Sequence, residues 1–254
     1  MELIKHDQIL IAENMTDNSI YIKVFDDAIE AIKNSSNIML IGPHMSEKGT
    51  IINNIVYQGL KAGGAAVIVN TREAGENVID WFNYNHPDIT LENLGIVDCV
   101  TKTMGLPTID TDNIKRASSP ADLTDIGVKI SQFIEYFRIK KNMQKITLCI
   151  NSLSTILMYS NIRSVFRFLY VLTGRIKAAG DIGIYVVEER MHDEQSLTTL
   201  KQLCVGMIEV KSENDANLMR IVSIFPKPTP WFEFEIDKAK VIIGKKHNIS
   251  ANTS

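Results

Sequence analysis

The segment from Ile41 to Thr50, IGPHMSEKGT, contains the residues whose types and spacing could bind phosphate. It follows an apolar run and supplies Gly42 and Lys48 at the spacing of the first glycine and the lysine in the pattern G-x-x-x-x-G-K-[ST]. In such a loop, backbone N–H groups at a helix N-terminus point at the anion and the lysine adds a full positive charge. The hydroxyl after the lysine holds Mg²⁺. The segment therefore has the outline of a nucleotide-binding loop.

Two positions of this loop depart from the pattern. Glu47 stands where glycine is needed, and Gly49 stands where the hydroxyl should follow the lysine. Thr50 is displaced by one residue, which turns its hydroxyl by about 100° on a helix. A carboxylate beside a triphosphate costs about 1–4 kcal/mol for each pair of charges. We interpret Glu47 as an acidic side chain that satisfies the helix N-terminus in place of phosphate, after a capping Ser46. An ordinary strand-to-helix turn is the open alternative.

Two further positions could take part in nucleotide chemistry. Asn151 in LCINSLS stands where an NTP-hydrolysing sheet places the aspartate that holds the water shell of Mg²⁺. An amide lacks the charge that Mg²⁺ prefers in its ligands, so Mg²⁺ binding is not expected. Glu73 in VNTREAGENV could orient an attacking water as the catalytic acid. It could instead pair with Arg72, or be a solvated acid at a strand end.

Other reactive side chains in the sequence have simpler interpretations. The pair Glu188-Glu189 with His192 has no spacing typical of metal ligands, so we interpret it as a polar loop. The three cysteines are too few and too scattered for a disulfide framework or a zinc site. They are Cys99, Cys149 and Cys204. No metal centre is predicted.

Composition limits the classes of function. With 254 residues, 45% of them hydrophobic, the chain can bury a substantial core. The net charge of −3 argues against a nucleic-acid footprint spread over the whole chain, although a local basic patch is compatible with it. We found no signal peptide or membrane span, so we expect a cytoplasmic protein that does not bind membranes.

Strand and helix patterns alternate along the chain. Apolar strands such as NIMLIGP, AAVIVNT, LGIVDCV and KITLCINS are separated by amphipathic helices, which predicts an α/β fold with a mainly parallel sheet covered on both faces. Strands near the C-terminus follow one another without helices and predict an antiparallel edge. We interpret Thr101–Ser119 as a long surface loop, and the helix after it as starting at Ser119-Pro120. We expect one domain over 1–244 and a flexible tail over 245–254.

The order of these segments resembles the RecA superfamily, and within it the archaeal KaiC-like proteins. The resemblance runs from about Ser19 to Gly244. The segments that carry it are the loop at Ile38–Leu60, VIVNTRE, SSPADLT, INSLST, HDEQSLTTLKQL, TGRIKAAG and PWFEFEI. It implies a RecA-like P-loop NTPase core, with ATP at the carboxyl ends of the strands in intact members and frequent assembly into rings or filaments.

The resemblance also assigns roles to single residues. Its first loop glycine, its lysine and its catalytic acid correspond to Gly42, Lys48 and Glu73. Three positions break the family pattern: the loop glycine (Glu47), the hydroxyl (Gly49, with Thr50 one place on) and the Mg²⁺-associated aspartate (Asn151).

Three functions are compatible with this sequence. The favoured one is a non-hydrolysing regulatory or scaffolding module in an archaeal cell, acting through self-association or a protein partner. The second is a weak ATPase that binds ATP or ADP through Lys48 and Thr50. The third is a DNA-binding recombinase paralogue, for which the basic residues are Arg138–Lys145 with Arg163, Arg167, Arg175 and Lys177.

Overall fold

The computed structural model describes residues 37–105, 108–224 and 227–246, which form one ten-stranded sheet. The strands are β1 Asn37–Gly42, β2 Ala65–Asn70, β3 Leu94–Asp98, β4 Ile114–Arg116, β5 Ile146–Asn151, β6 Ile182–Glu188, β7 Gly206–Glu213, β8 Ala216–Val222, β9 Phe232–Asp237 and β10 Lys240–Lys246. Their order is β10-β9-β8-β7-β1-β6-β5-β2-β3-β4. All pairs from β7 to β4 are parallel, and β7 to β10 pair antiparallel. The predicted parallel sheet with an antiparallel C-terminal edge is confirmed.

Six helices in the described residues cover both faces of this sheet. They are α1 Lys48–Lys61, α2 Gly75–Asn85, α3 Leu123–Glu135, α4 Leu153–Tyr159, α5 Ile162–Ala179 and α6 Glu194–Lys201, and a π-helical turn at Tyr136–Lys140 follows α3. One apolar core lies between the sheet and α1 and α2. A second lies between the sheet and α3 to α6. This arrangement explains why the inner strands are apolar on both faces.

Two predictions about helices and strands differ from the structure. The predicted surface loop Thr101–Ser119 contains β4, whose three residues pair with β3 and are too few to show a strand pattern. The helix expected from Ser119-Pro120 begins at Leu123, because the Asp122 carboxylate accepts a hydrogen bond from the backbone N–H of Asp125, 2.9 Å away.

The ends of the predicted domain are only partly described. Residues 1–36 of the expected 1–244 domain lie outside the described residues. The strand β10 continues to Lys246, and the rest of the expected 245–254 tail lies outside them as well.

A buried histidine at the end of α2 predicts a loss of stability in mild acid. The His86 ring is 2% exposed and stacks on Tyr57 with ring centroids 3.9 Å apart. Burial lowers the pKa of His86, while Asp88 raises it and Lys240 and Lys61 lower it. The unfolded chain binds this proton near its ordinary pKa of about 6.5. The stabilising contribution is therefore complete above that pH and is lost as the pH falls through the lower pKa of the folded state.

Urea unfolding at a series of pH values measures this effect. We expect the free energy of unfolding to fall as the pH drops below about 6.5, and to fall less in His86→Phe, which keeps the ring stack without the proton site. An identical pH dependence in wild type and His86→Phe would contradict the assignment.

Candidate functional site

The carboxyl ends of the parallel strands place the predicted site residues along one edge of the sheet. In the strand register, Gly42 at the end of β1 pairs with Glu188 at the end of β6. Asn70 at the end of β2 pairs with Asn151 at the end of β5. Ligands of parallel sheets bind at the carboxyl ends of the strands, which is where these candidate residues lie.

The lysine of the loop is turned into the protein. Lys48 is the first residue of α1 and is 1% exposed. Its Nζ donates hydrogen bonds to the carbonyl of Gly42 at 3.1 Å, to the carbonyl of Pro43 and to the hydroxyl of Ser46 at 2.9 Å. Its Nζ also forms an ion pair with Glu188 Oε2 at 2.9 Å. An ammonium group has three donors, so the loop and Glu188 already satisfy Lys48.

The carboxylate of Glu188 lies where three basic side chains meet. Besides Lys48, the Arg72 guanidinium lies 3.6 Å from Oε1, and the His44 ring nitrogen lies 4.0 Å from Oε2. The side chain of Glu188 is 5% exposed, so its interpretation as part of a polar loop is wrong. Burial lowers the pKa of Lys48 and the ion pair with Glu188 opposes that decrease, as expected for a desolvated but paired ammonium.

The loop acid Glu47 does not play the predicted role. It is the N-cap residue of α1, but its carboxylate accepts no hydrogen bond from the helix N–H groups. Instead it accepts a hydrogen bond from the Thr50 hydroxyl at 2.9 Å. The Ser46 hydroxyl donates to the carbonyl of Pro43 at 2.8 Å. The acidic group at the centre of the site is thus Glu188 and not Glu47.

The two loop glycines differ in what surrounds them, and this predicts opposite effects of alanine. A Cβ on Gly42 would lie 2.8 Å from the carbonyl oxygen of Val210 on β7, whereas a Cβ on Gly49 would have no atom within 4 Å. We expect Gly42→Ala to cost about 1–3 kcal/mol of unfolding free energy through overpacking. We expect Gly49→Ala to stabilise by about 0.5–1 kcal/mol, because glycine is unfavourable inside a helix.

Urea unfolding of the two alanine variants checks this pair. Equal effects at the two positions would contradict the view that Gly42 is required by packing against β7.

The two remaining predicted residues lie apart from Lys48. The side chain of Glu73 is exposed, and its backbone carbonyl accepts a hydrogen bond from the Asn70 amide at 2.8 Å. The Oδ1 atom of Asn151 is buried without a hydrogen-bond partner among the described residues. Glu73 follows β2 and Asn151 ends β5, whereas Lys48 follows β1. The ion pair of Arg72 with Glu188 connects the end of β2 to the carboxylate that pairs with Lys48.

These residues do not fit ATP with Mg²⁺ in the arrangement that the structure shows. The ammonium that would meet the phosphates is held by loop carbonyls and by a carboxylate. The hydroxyl of Thr50 is bonded to Glu47, and Asn151 contributes no charge. In the part of the chain that the structure describes, no three His, Cys, Asp or Glu side chains lie close enough to hold a metal ion.

A second buried charged group, which the sequence analysis missed, lies at the ends of β3 and β4. Asp98 is 0% exposed and accepts hydrogen bonds from the backbone N–H groups of Val100 at 2.8 Å and Thr101 at 3.0 Å. Arg116 is 2% exposed, with its Nε 3.7 Å from Asp98 Oδ2 and its guanidinium bonded to Glu76. The alternation of β4 was too short to reveal that Arg116 points into the protein.

The basic residues that suggested DNA binding are partly engaged in the fold. Arg138 pairs with Asp181 and donates to the carbonyl of Met143 at 2.9 Å. Lys141 pairs with Glu92 at 3.1 Å, and Lys145 donates to the carbonyl of Gly180 at 2.8 Å. These contacts give the segment Arg138–Lys145 a structural role. Among the described residues, no helix is both long and apolar enough to cross a membrane.

The fold is similar to that of three solved archaeal proteins. The uncharacterized protein PH0321 from Pyrococcus horikoshii, solved in complex with an unknown peptide, has a TM-score of 0.66 and 14% identity over 89% of this chain and 98% of its own. The KaiC-like protein PH0186 from Pyrococcus horikoshii OT3 has a TM-score of 0.55 and 14% identity, over 82% of this chain and 88% of its own. The flagellar accessory protein FlaH from Methanocaldococcus jannaschii has a TM-score of 0.52 and 15% identity, over 82% of this chain and 88% of its own.

These similarities confirm the RecA-type, KaiC-like fold that the sequence predicted. No curated protein matches the chain in sequence. A family model does match, and it covers residues 36–210, which include the loop between β1 and α1 and most of the parallel sheet. The chain therefore belongs to DUF7504, a family of unknown function.

Proposed function

We propose that this chain is a non-hydrolysing protein with a RecA-type fold that acts in the cytoplasm of an archaeal cell as a regulatory or scaffolding module. The observation that carries this proposal is the state of Lys48. Its ammonium is buried, bonded to Gly42, Pro43 and Ser46, and paired with Glu188. A phosphate would have to displace a buried carboxylate from that lysine. The changes at Glu47, Gly49 and Asn151 remove other parts of the reaction: the loop geometry, the hydroxyl and the metal-associated charge.

A module without turnover must act by binding, and a protein partner or a second copy of the chain is the proposed ligand. Support comes from exposed large side chains on two consecutive helices, Met158 and Tyr159 on α4 and Tyr170 and Val171 on α5. Aromatic residues and methionine are enriched at protein interfaces. PH0321, whose fold is similar to that of this chain, was solved in complex with an unknown peptide.

Calorimetric titration with ATP, with and without Mg²⁺, together with a phosphate-release assay, tests the absence of nucleotide chemistry. We expect no heat of binding and no release above background, because the lysine is already paired and the Mg²⁺ ligands are missing. Phosphate release that disappears in a folded Lys48 variant would contradict the proposal.

A weak ATP-binding protein is the second candidate, and the partly exposed basic side chains of Arg72 and His44, which meet Lys48 at Glu188, favour it. This function requires the loop to rearrange so that Lys48 and Thr50 reach a phosphate, and Glu73 would then orient water. This function predicts that Glu47→Gly raises the affinity for ATP, because it removes a repelling carboxylate and releases the Thr50 hydroxyl. The same titration on Glu47→Gly separates the two candidates.

A further inference from the structure

We propose that Glu188 is a built-in anion that keeps the loop closed, and that a small polyanion such as pyrophosphate competes with it for Lys48 and Arg72. This inference rests on the proposed function, because it treats the site as one that binds or excludes anions without hydrolysing them. It adds a regulatory contact and assigns that contact to a residue outside the loop.

The geometry around Glu188 is that of an occupied anion site. Its two carboxylate oxygens face three basic groups: Lys48 Nζ at 2.9 Å, the Arg72 guanidinium at 3.6 Å and the His44 ring at 4.0 Å. The Arg72 and His44 contacts are longer than hydrogen bonds, so the carboxylate acts on these two groups through its charge.

The backbone holds Glu188 in place independently of these charges. Its position in β6 pairs with Gly42 in β1, and its N–H donates to the Ser154 hydroxyl at 2.9 Å. The next residue, Glu189, donates its N–H to the carbonyl of Gly42 at 2.8 Å. The backbone position that brings the Glu188 carboxylate to Lys48 is therefore fixed by the pairing of β6 with β1.

The site is open on one side. Lys48 and Glu188 are buried, whereas the side chains of Arg72 and His44 are 39% and 65% exposed. A ligand from solvent can therefore reach the basic groups that Glu188 neutralises. Without the Glu188 charge, the Lys48 ammonium and the Arg72 guanidinium would lose the carboxylate that contacts them both, and an oxyanion is a ligand that such a pair attracts.

The test is calorimetric titration with pyrophosphate of wild type, Glu188→Gln and Glu189→Gln. The control removes the same charge from the next residue, whose carboxylate lies 4.0 Å from the exposed Arg190. We expect Glu188→Gln to bind pyrophosphate at least about tenfold more tightly than wild type, because a charge in contact with the lysine is gone. Glu189 also raises the pKa of Lys48 through its charge, but less than Glu188 does, so Glu189→Gln should gain much less affinity than Glu188→Gln.

A second pair of measurements keeps the result independent of folding. Adding Arg72→Gln to Glu188→Gln should reduce the gained affinity, because Arg72 is one of the two cations in the site. Labelling of Lys48 by an amine reagent, followed by mass spectrometry, should be faster in Glu188→Gln than in wild type and should slow again with pyrophosphate.

Equal pyrophosphate affinity in wild type and Glu188→Gln, or an equal gain in Glu189→Gln, would overturn the inference. Lys48-dependent ATP turnover by the wild type would instead overturn the proposed function, so the two failures are distinguishable.

Discussion

Replacing Lys48 with methionine is expected to lower the free energy of unfolding by about 3–5 kcal/mol, because removing one partner of a buried ion pair leaves the other charge uncompensated. The side chains of Lys48 and Glu188 are 1% and 5% exposed, so solvent cannot replace the lost ammonium. The nearby Arg72 compensates in part, which places the expectation at the lower end of that range. In a solvent-facing phosphate loop, the same substitution would chiefly affect ligand binding.

Urea unfolding of three variants tests this expectation. Glu188→Gln should cost less than Lys48→Met, since Lys48 keeps its hydrogen bonds to the loop carbonyls. The double variant Lys48→Met/Glu188→Gln should be more stable than Lys48→Met alone, because no charge is then left buried.

A matched control for Lys48 is available on the same helix. Lys61 pairs with Asp88 at 3.2 Å, but both side chains are about half-exposed. Exposed ion pairs contribute little to stability because water screens both charges, so Lys61→Met should have a small effect. If Lys48→Met lowered the free energy of unfolding no more than Lys61→Met does, the buried ion pair of Lys48 with Glu188 would be contradicted.

Replacing Arg116 with methionine is also expected to have a large effect and to lower the free energy of unfolding by about 3 kcal/mol. Arg116 is buried beside the fully buried Asp98, and its guanidinium also bonds to Glu76 and to the carbonyl of Ile109. The Glu76 side chain is 50% exposed, so the buried Asp98 is the partner that solvent cannot reach once Arg116 is replaced.

The pKa of Asp98 gives this buried cluster its own dependence on pH, separate from the loss caused by removing Arg116. Burial raises it, but hydrogen bonds from Thr101, Val100 and Gly75 outweigh burial and leave the pKa below its ordinary value. Its contribution is present above the unfolded pKa of about 3.9 and is lost as the pH falls through the folded value.

Thermal or urea unfolding at neutral pH measures the Arg116→Met effect. Arg175, an exposed arginine of α5 that donates to Ser131 at 3.2 Å, provides the control, and Arg175→Met should change stability little. A loss in Arg116→Met no greater than in Arg175→Met would show that the Asp98 cluster does not depend on its arginine.

Much of the fold could be predicted because the patterns that specify it are local. The apolar strands NIMLIG and AAVIVN are buried at every residue, and the strands after Gly206 follow one another without helices. The order of these segments was enough to recognise a RecA-type core. Short elements escaped this reasoning, as β4 did, because three residues cannot show a period.

The candidate site was predicted only in part. The sequence by itself predicted a loop with the outline of a phosphate-binding loop after β1, and it showed that Glu47, Gly49 and Asn151 depart from the pattern of such a loop. Which acid meets Lys48 was decided by the tertiary structure. Glu47 is its neighbour in the chain but turns to Thr50, whereas Glu188, 140 residues away, is brought to it by the parallel pairing of β1 with β6. Strand order sets such contacts, and no local pattern in the sequence records which strand will lie beside which.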